Sequence, residues 1–454
     1  MKTLQTEVEF QAHKLQSNSI KVNGKLVHTP FVNFVPTSKN DVELLLETIK
    51  KSNDEHYFVD RVQAVTYRVF DEERIFGGLT KKVTQNQSPS PITIKSDENA
   101  LRYMDGWLRF IDPCTNFYRK RYNGYTIGFL KLKSIPSYVE RYFQKLNRCE
   151  KDSLDECHSQ FWETLSKPNS EGITQETLSK LIIWNAKLQK DKNADIFLPP
   201  SPFISLTYCQ ELAKIAIEVN KDAQELVSWD TATFFNIDAS TFQDKPTIQM
   251  ILNYIADTNN PTPLTVFKLN DAKKLSDLTY GEHALNNFEF FLKVLYEIKN
   301  DYPPKIIGLL NSGGFGYCLL GAKFDFFTDY ISNYEAYIPP RGKRPTHRAA
   351  LHPITLIPEK FNNIVSARKE DGYVPLSYHP DKKYHNTQQF NKESVDGDVW
   401  GKDAKLAGMC MWNIYTREVV EAMRDKNKID SLFFDRVQQS AFSRLGPIIR
   451  KLNA

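Results

Sequence analysis

Residues 263–316 decide the fold, because they run through strand, helix, strand and turn in quick succession. They begin with PLTVFKL (263–269), continue through NNFEFFLKVLYEIKN (286–300) and end with KIIGLL (305–310) and the glycine-rich turn NSGGFG (311–316). Apolar strands with little alternation are typical of parallel sheets that are buried on both faces. Amphipathic helices between such strands predict an α/β fold.

The same alternation extends over most of the chain. A helical pattern at 174–191 leads to the apolar run ADIFLPP (194–200), and an earlier stretch, 20–36, contains two short strands around an Asn23-Gly24 turn. We therefore predict a (β/α)8 TIM barrel with a helical insertion and a C-terminal helical extension. The predicted parts are the first part of the barrel (1–118), a charged and aromatic helical insertion (119–170), the remainder of the barrel (171–334), and a basic loop segment with C-terminal helices (335–454).

Composition limits the class of protein without identifying it. The 454 residues are 41% hydrophobic and 25% charged, which is typical of a globular chain, and the net charge of +4 neither requires nor excludes nucleic acid. The sequence has no long apolar run and begins with a polar segment, so we expect a cytoplasmic protein without a membrane span. The six cysteines form no CxxC pair, so we expect no zinc module, and nothing in the sequence calls for a cofactor.

Two aspartates follow short apolar runs. Asp112 comes after Leu108–Ile111, and Asp325 comes after Ala322–Phe324. Catalytic groups of barrel enzymes project from the carboxyl ends of the strands, so we expect both acids at that end. The alternative is that each aspartate only caps the helix that follows its strand.

Cations and aromatic rings alternate in two segments close behind these acids. Such groups bind phosphates and stack on unpaired bases, although a solvated charged surface would have the same composition. The candidate nucleic-acid contacts are Tyr118, Arg119, Lys120, Arg121, Tyr122, Arg341, Lys343, Arg344 and Arg348. In the late turn, Gly313 and Gly314 are candidates for a phosphate or substrate contact, with simple chain reversal as the alternative.

In their order, five segments resemble the tRNA-guanine transglycosylase superfamily. They are GKLVHTPFVNFVPT (24–37), MDGWLRFIDPCTNFY (104–118), ITQETLSKLIIWNAKLQKDKNADIFL (173–198), IIGLLNSGGFGYCLLGAKFDFF (306–327) and MWNIY (411–415). The resemblance implies a TIM barrel that exchanges a base through a covalent aspartyl intermediate. Asp325 would attack the anomeric carbon, Asp112 would move protons, and Phe117 would support the opened strand. The two carboxyl groups would then face each other across one pocket, about 5 Å apart or somewhat more.

The sequence departs from the family pattern at the positions that recognise the base. Ser201 stands where the family reads guanine with an aspartate, and Lys268 begins the segment that replaces the family's glutamine-glycine pair. Without a zinc module and with the insertion at 119–170, the chain resembles the divergent branch that places a 7-deazaguanine such as preQ0 in DNA. The alternatives are a tRNA-guanine transglycosylase, and a non-catalytic barrel that binds nucleic acid or partners a catalytic subunit. A metal-dependent hydrolase is disfavoured because the sequence has no His/Asp spacing that would suit a metal site.

Overall fold

A computed structural model gives the fold of a large part of the chain. It describes residues 2–9, 17–36, 42, 62–69, 106–115, 132, 135–167, 177–257, 262–310, 312–330, 349–351, 358–360, 437–438 and 440–453.

An eight-stranded sheet forms the centre of the fold, and every strand pairing in it is parallel. A three-stranded antiparallel sheet precedes it, with strands β1 (Gln5–Glu9), β2 (Ser17–Val22) and β3 (Lys25–His28). The eight strands are β4 (Phe31–Val35), β5 (Val62–Arg68), β6 (Leu108–Asp112), β7 (Phe203–Ile204), β8 (Thr233–Asp238), β9 (Leu264–Asn270), β10 (Ile306–Leu310) and β11 (Phe326–Tyr330). Their order in the sheet is β6-β5-β4-β11-β10-β9-β8-β7. A short antiparallel pair, β12 (Ala349–Leu351) and β13 (Pro358–Lys360), lies apart from it.

Helices separate most of the later strands, as the sequence predicts for an α/β fold. They are α1 (Ser137–Arg148), α2 (Leu154–Ser166), α3 (Leu178–Asp191), α4 (Cys209–Leu226), α5 (Lys245–Ala256), α6 (Lys273–Ser276), α7 (Gly281–Asp301), α8 (Gly313–Leu319) and α9 (Leu445–Asn453). Among the residues that the structure describes, no helix is long and apolar enough to cross a bilayer. The α/β class and the parallel sheet are confirmed, and α1 and α2 lie within the segment predicted as an insertion.

The local sequence explains where several elements begin and end. Helix α5 starts after Asp244, whose carboxylate accepts from the Thr247 backbone N–H at 3.0 Å, with a proline in the first turn. The predicted hairpin turn is confirmed between β2 and β3, where Asn23 and Gly24 have φ angles of 50° and 77°. Asparagine and glycine tolerate this left-handed conformation better than other residues, so the turn fixes the register of the hairpin.

Aromatic side chains fill the inner face of the curled sheet. The rings of Phe31 and Phe110 both stack on Phe326, with centroid separations of 4.7 and 5.6 Å. Gly308 on the neighbouring strand leaves room for that ring, since a Cβ there would lie 1.9 Å from Phe326 Cζ. The opposite faces of the same strands pack against the helices in a separate apolar core. Together with Ala64, Phe234 and Val266, the rings of Phe31, Phe110 and Phe326 form one layer across the inside of the sheet, which we call the aromatic plug.

The antiparallel hairpin covers the end at which the barrel strands begin. Residues Ile20, Val22 and Val27 of β2 and β3 join the apolar cluster inside the sheet. Nearby, Lys25 donates to the Asp195 carboxylate and to the Trp107 backbone oxygen, both at 2.7 Å. Because Trp107 directly precedes β6, these contacts mark the amino-terminal end of the sheet. The carboxyl ends of the strands lie at the opposite end of the sheet.

One segment connects the two edges of the sheet. A single-residue bridge pairs Phe110 of β6 with Ile196, and a second pairs Phe197 with Thr231, two residues before β8. The Phe197 backbone oxygen accepts from the Ala232 N–H at 3.0 Å. The sheet is thus curled and consistent with a TIM-like barrel.

Candidate functional site at the carboxyl ends of the strands

A layer of polar side chains follows the aromatic plug toward the carboxyl ends of the strands. Successive residues of a strand face opposite sides, so the residue two positions beyond each plug residue also faces the inside of the sheet. We call these six side chains the polar layer: Asn33, Thr66, Asp112, Asn236, Lys268 and Thr328. All of them are buried, with 3% exposure or less. Buried polar groups are costly unless they are paired or functional, so this layer is the first candidate for a site.

The centre of the polar layer is an ion pair between Asp112 and Lys268. Lys268 Nζ donates to Asp112 Oδ2 at 2.5 Å, and the Cys114 backbone N–H donates to Asp112 Oδ1 at 2.8 Å. The two side chains are 5% and 1% exposed. Desolvation of two charges is expensive, so their attraction and hydrogen bonds must offset a large cost. The arrangement keeps an ionised carboxylate beside an ammonium group, away from water.

The backbone directly after Asp112 is in an uncommon conformation. Cys114 has a φ of 56°, in the left-handed region that non-glycine residues rarely adopt. Its N–H nevertheless points to the Asp112 carboxylate. Backbone strain of this kind clusters at functional sites, where the surroundings hold it in place. The strain at Cys114 therefore fixes one oxygen of Asp112.

A chain of hydrogen bonds connects the loop after β6 with β8 and β9. Asn236 Nδ2 donates to Thr115 Oγ1 at 3.2 Å, and Asn270 Nδ2 donates to Asn236 Oδ1 at 2.9 Å. The Thr115 hydroxyl in turn donates to the backbone oxygen of Ser201. These bonds hold the segments around Asp112 in a fixed arrangement, as a site that orients a substrate requires.

A second carboxylate lies at the same end of the sheet. Asp238 ends β8, and its Oδ1 accepts from the Ser240 N–H at 2.9 Å and from the Ser240 hydroxyl at 2.5 Å. Burial raises the pKa of the Tyr280 phenol, and the negative charge of Asp238 raises it further. Lys274 Nζ donates to Tyr280 Oη at 3.3 Å and to Asp271 Oδ2 at 2.9 Å. Asp238 and these rim residues thus form a charged border outside the polar layer.

Asp325 does not lie where the sequence suggests. It precedes Phe326, the first residue of β11, whereas Asp112 is the last residue of β6. Because the strands are parallel, the two carboxylates occupy opposite ends of the sheet. The expectation that they face each other across one pocket is therefore wrong. The run Ala322–Phe324 is not a strand, because a 3-10 helix ends at Ala322 and Lys323 has a left-handed φ of 64°.

The contacts of Asp325 are those of a structural residue. Its Oδ2 accepts from Lys299 Nζ at 2.5 Å and from the Ile307 backbone N–H at 2.7 Å. Burial raises the pKa of the Asp325 carboxyl, although the Lys299 ammonium and the Ile307 N–H oppose that rise. These bonds connect α7, β10 and the start of β11, so Asp325 fastens the amino-terminal end of the sheet.

The other predicted site residues divide into two groups. Ser201 and Lys268 lie at the same end as Asp112, and Gly313 and Gly314 begin α8 directly behind β10. The Ser201 hydroxyl donates to the Pro202 backbone oxygen at 3.4 Å. The Ser201 backbone oxygen accepts from Thr115, which lies three residues after Asp112. The remaining candidates lie outside the described residues and stay predictions: Phe117, Tyr118, Arg119, Lys120, Arg121, Tyr122, Arg341, Lys343, Arg344 and Arg348.

Sequence reasoning missed several residues of this end of the sheet. Asp238 follows the apolar strand TFFNI in the same way as Asp112 follows its strand, so the same signal could have found it. Asn33, Thr66 and Asn236 each lie between two apolar or aromatic residues of a strand, and only their inward direction reveals them. The ion pair of Lys268 with Asp112 joins positions 156 residues apart.

Comparison with known proteins leaves this geometry as the basis for a function. No protein-family model matches the sequence, and a search of the curated proteins finds no match. Within the described ranges, no cluster of three or more His, Cys, Asp or Glu side chains is suited to hold a metal ion. The polar layer is therefore the best-defined candidate site in the part of the chain that the structure covers.

Proposed function

We propose that the fold is a (β/α)8 barrel that closes through residues 195–198. This segment precedes β7, and the two together form the eighth strand, between β8 and β6. The Asp195 N–H donates to the Arg109 oxygen at 3.0 Å on one side, and the Phe197 N–H donates to the Asp230 oxygen at 2.8 Å on the other. Catalytic residues of such barrels lie at the carboxyl ends of the strands, the end that carries Asp112.

We further propose that the protein is a base-exchange enzyme of the guanine transglycosylase type and that Asp112 is its reacting carboxylate. The observation that carries this proposal is the buried Asp112–Lys268 pair at the carboxyl end of the barrel. An ionised carboxylate that is shielded from water can attack an anomeric carbon, as in retaining glycosidases. Asp325 has no part in this chemistry, because it lies at the other end.

The reaction needs one carboxylate and one proton carrier. Asp112 attacks C1′ of the target nucleotide, the bond from C1′ to the base breaks, and the electron pair of that bond leaves with the base. Lys268 gives a proton to the departing base and takes one back from the incoming base. The incoming base then attacks C1′ and releases the Asp112 carboxylate, so the sugar keeps its configuration. Both half-reactions use the same two residues, and no oxidant or metal is required.

The substrate is proposed from the resemblance of the sequence to the transglycosylases. We propose DNA as the nucleic acid and a 7-deazaguanine such as preQ0 as the incoming base, with a tRNA substrate as the alternative. The target nucleotide has to leave its stack to reach a buried carboxylate. The basic and aromatic residues at 118–122 and 341–348 are the proposed contacts to the opened strand.

Incorporation of labelled base tests this function. The full chain is incubated with radiolabelled guanine and either plasmid DNA or tRNA, and the label retained by each nucleic acid is counted. We expect incorporation into DNA by the wild type, and a loss of roughly 100-fold or more in Asp112→Asn and in Lys268→Met. Asp271→Asn is the matched control, since it changes an aspartate at the rim of the same barrel end and asparagine accepts the φ of 55° found there.

Three outcomes separate the alternatives. Label in tRNA alone would assign the protein to RNA modification. Label in neither nucleic acid, with DNA binding intact, would favour a non-catalytic barrel. Equal incorporation by Asp112→Asn and the wild type would refute the role of the polar layer.

A further inference from the structure

The amide of Asn33 in the polar layer is only half satisfied. Asn33 Nδ2 donates to Thr66 Oγ1 at 2.7 Å, whereas Asn33 Oδ1 is buried and has no hydrogen-bond partner. The residue is 0% exposed. A buried polar atom without a partner typically costs about 1–3 kcal/mol, and most native structures avoid it. The missing partner therefore requires an explanation.

Turning the amide over does not remove the problem. The Thr66 hydroxyl could then donate to Oδ1, but Nδ2 would be the end without a partner. Thr66 thus satisfies one end of the Asn33 amide in either orientation. The other end is available to a ligand.

The position of Asn33 places this free end inside the barrel. Phe31, two residues earlier on β4, belongs to the aromatic plug, so Asn33 faces the same interior one step closer to the carboxyl ends. Asn236, by comparison, is bonded through both its Nδ2 and its Oδ1. Asp112 likewise has a donor on each oxygen. Asn33 Oδ1 differs from these groups in being buried, inward and unsatisfied.

We propose that Asn33 determines the specificity for the exchanged base, by accepting an N–H of the base at Oδ1. This inference rests on the proposed function and names one contact that it requires. Guanine and 7-deazaguanines carry ring and amino N–H groups that fit an amide oxygen. A buried acceptor that only the correct ligand satisfies discriminates strongly against ligands without the donor.

Binding of radiolabelled guanine to the full chain by equilibrium dialysis tests the contact. Leucine has nearly the shape of asparagine but no polar atom, so we expect Asn33→Leu to bind guanine about tenfold to a hundredfold more weakly. Asn33→Asp keeps an acceptor and should retain most of the affinity. Thr265→Val is the matched control: it removes a buried, unsatisfied hydroxyl from the face of β9 that points away from the polar layer, and it should bind guanine as the wild type does.

A stability measurement separates recognition from simple packing. In the absence of base, urea unfolding of Asn33→Leu should show at most a small loss of stability, because the variant breaks the bond to the Thr66 hydroxyl but also removes an unsatisfied oxygen. Equal guanine affinity of Asn33→Leu and the wild type would overturn the inference alone, and so would a loss as large in Asn33→Asp as in Asn33→Leu. A wild type that neither binds nor incorporates guanine would overturn the proposed function, and this contact with it.

Discussion

Replacing Asp325 should weaken the fold and spare the chemistry, because Asp325 fastens the amino-terminal end of the sheet. In Asp325→Asn the Lys299 ammonium loses its carboxylate at 2.5 Å and keeps the Lys323 backbone oxygen at 2.8 Å. Removal of one partner of a buried ion pair typically costs about 3–5 kcal/mol. Asparagine retains an oxygen for the Ile307 N–H, so we expect a loss of about 3 kcal/mol, at the lower end of that range.

A double variant checks the loss of stability expected for Asp325→Asn. Burial raises the pKa of the Asp325 carboxyl despite its partner, which indicates that desolvation exceeds the attraction to Lys299. Replacing both members by apolar residues of similar size is then nearly neutral or stabilising. Because the Ile307 N–H also donates to Asp325, the double variant combines Lys299→Met with Asp325→Asn, which keeps an oxygen for that N–H. We expect it to unfold at a urea concentration close to that of the wild type, and Asp325→Asn alone to unfold well below it.

The assays are urea unfolding, followed by circular dichroism, and label incorporation at a temperature at which Asp325→Asn is folded. The expected result is reduced stability with an unchanged exchange rate. An Asp325→Asn protein as stable as the wild type but inactive in exchange would contradict the structural role and return Asp325 to the reaction.

Two further predictions concern β10 and the residue before it. Burial lowers the pKa of the Lys305 ammonium to about 8 from 10.5, so the unfolded chain binds more protons between these pH values and wild-type stability should rise across them. Lys305→Met should lack this rise, which amounts to up to roughly 3 kcal/mol, when urea unfolding is measured from pH 7 to pH 10.5. Gly308→Ala places a Cβ 1.9 Å from Phe326 Cζ and should cost about 1–3 kcal/mol or more. Adding Phe326→Leu should recover part of that loss, and a fully stable Gly308→Ala would contradict the packing.

The sequence predicted the class of fold because that class depends on patterns within single strands and helices. The apolar runs at 263–269 and 305–310 became β9 and β10, and the helical pattern at 286–300 lies within α7. Each of these patterns depends only on periodicity within one element. The position of Asp112 at the end of a strand was predicted for the same reason, and β6 ends there.

The arrangement of the site depended on information that local patterns lack. In the run Phe324-Asp325-Phe326-Phe327 the acid is flanked by apolar residues on both sides, so the pattern does not say on which side the strand lies. The strand begins after Asp325, so this carboxylate lies at the amino-terminal end of the sheet and not at the carboxyl end. The Asp112–Lys268 pair arises only when the sheet curls and brings β6 and β9 together. Such pairing is a property of the tertiary fold.

The site of the covalent intermediate distinguishes Asp112 from Asp325 as the nucleophile. The wild-type chain is incubated with DNA without added base, denatured and digested, and the peptides are analysed by mass spectrometry. We expect a nucleotide adduct on the peptide that contains Asp112, and no adduct in Asp112→Asn. An adduct on the peptide that contains Asp325, or one that persists in Asp112→Asn, would contradict this role of Asp112.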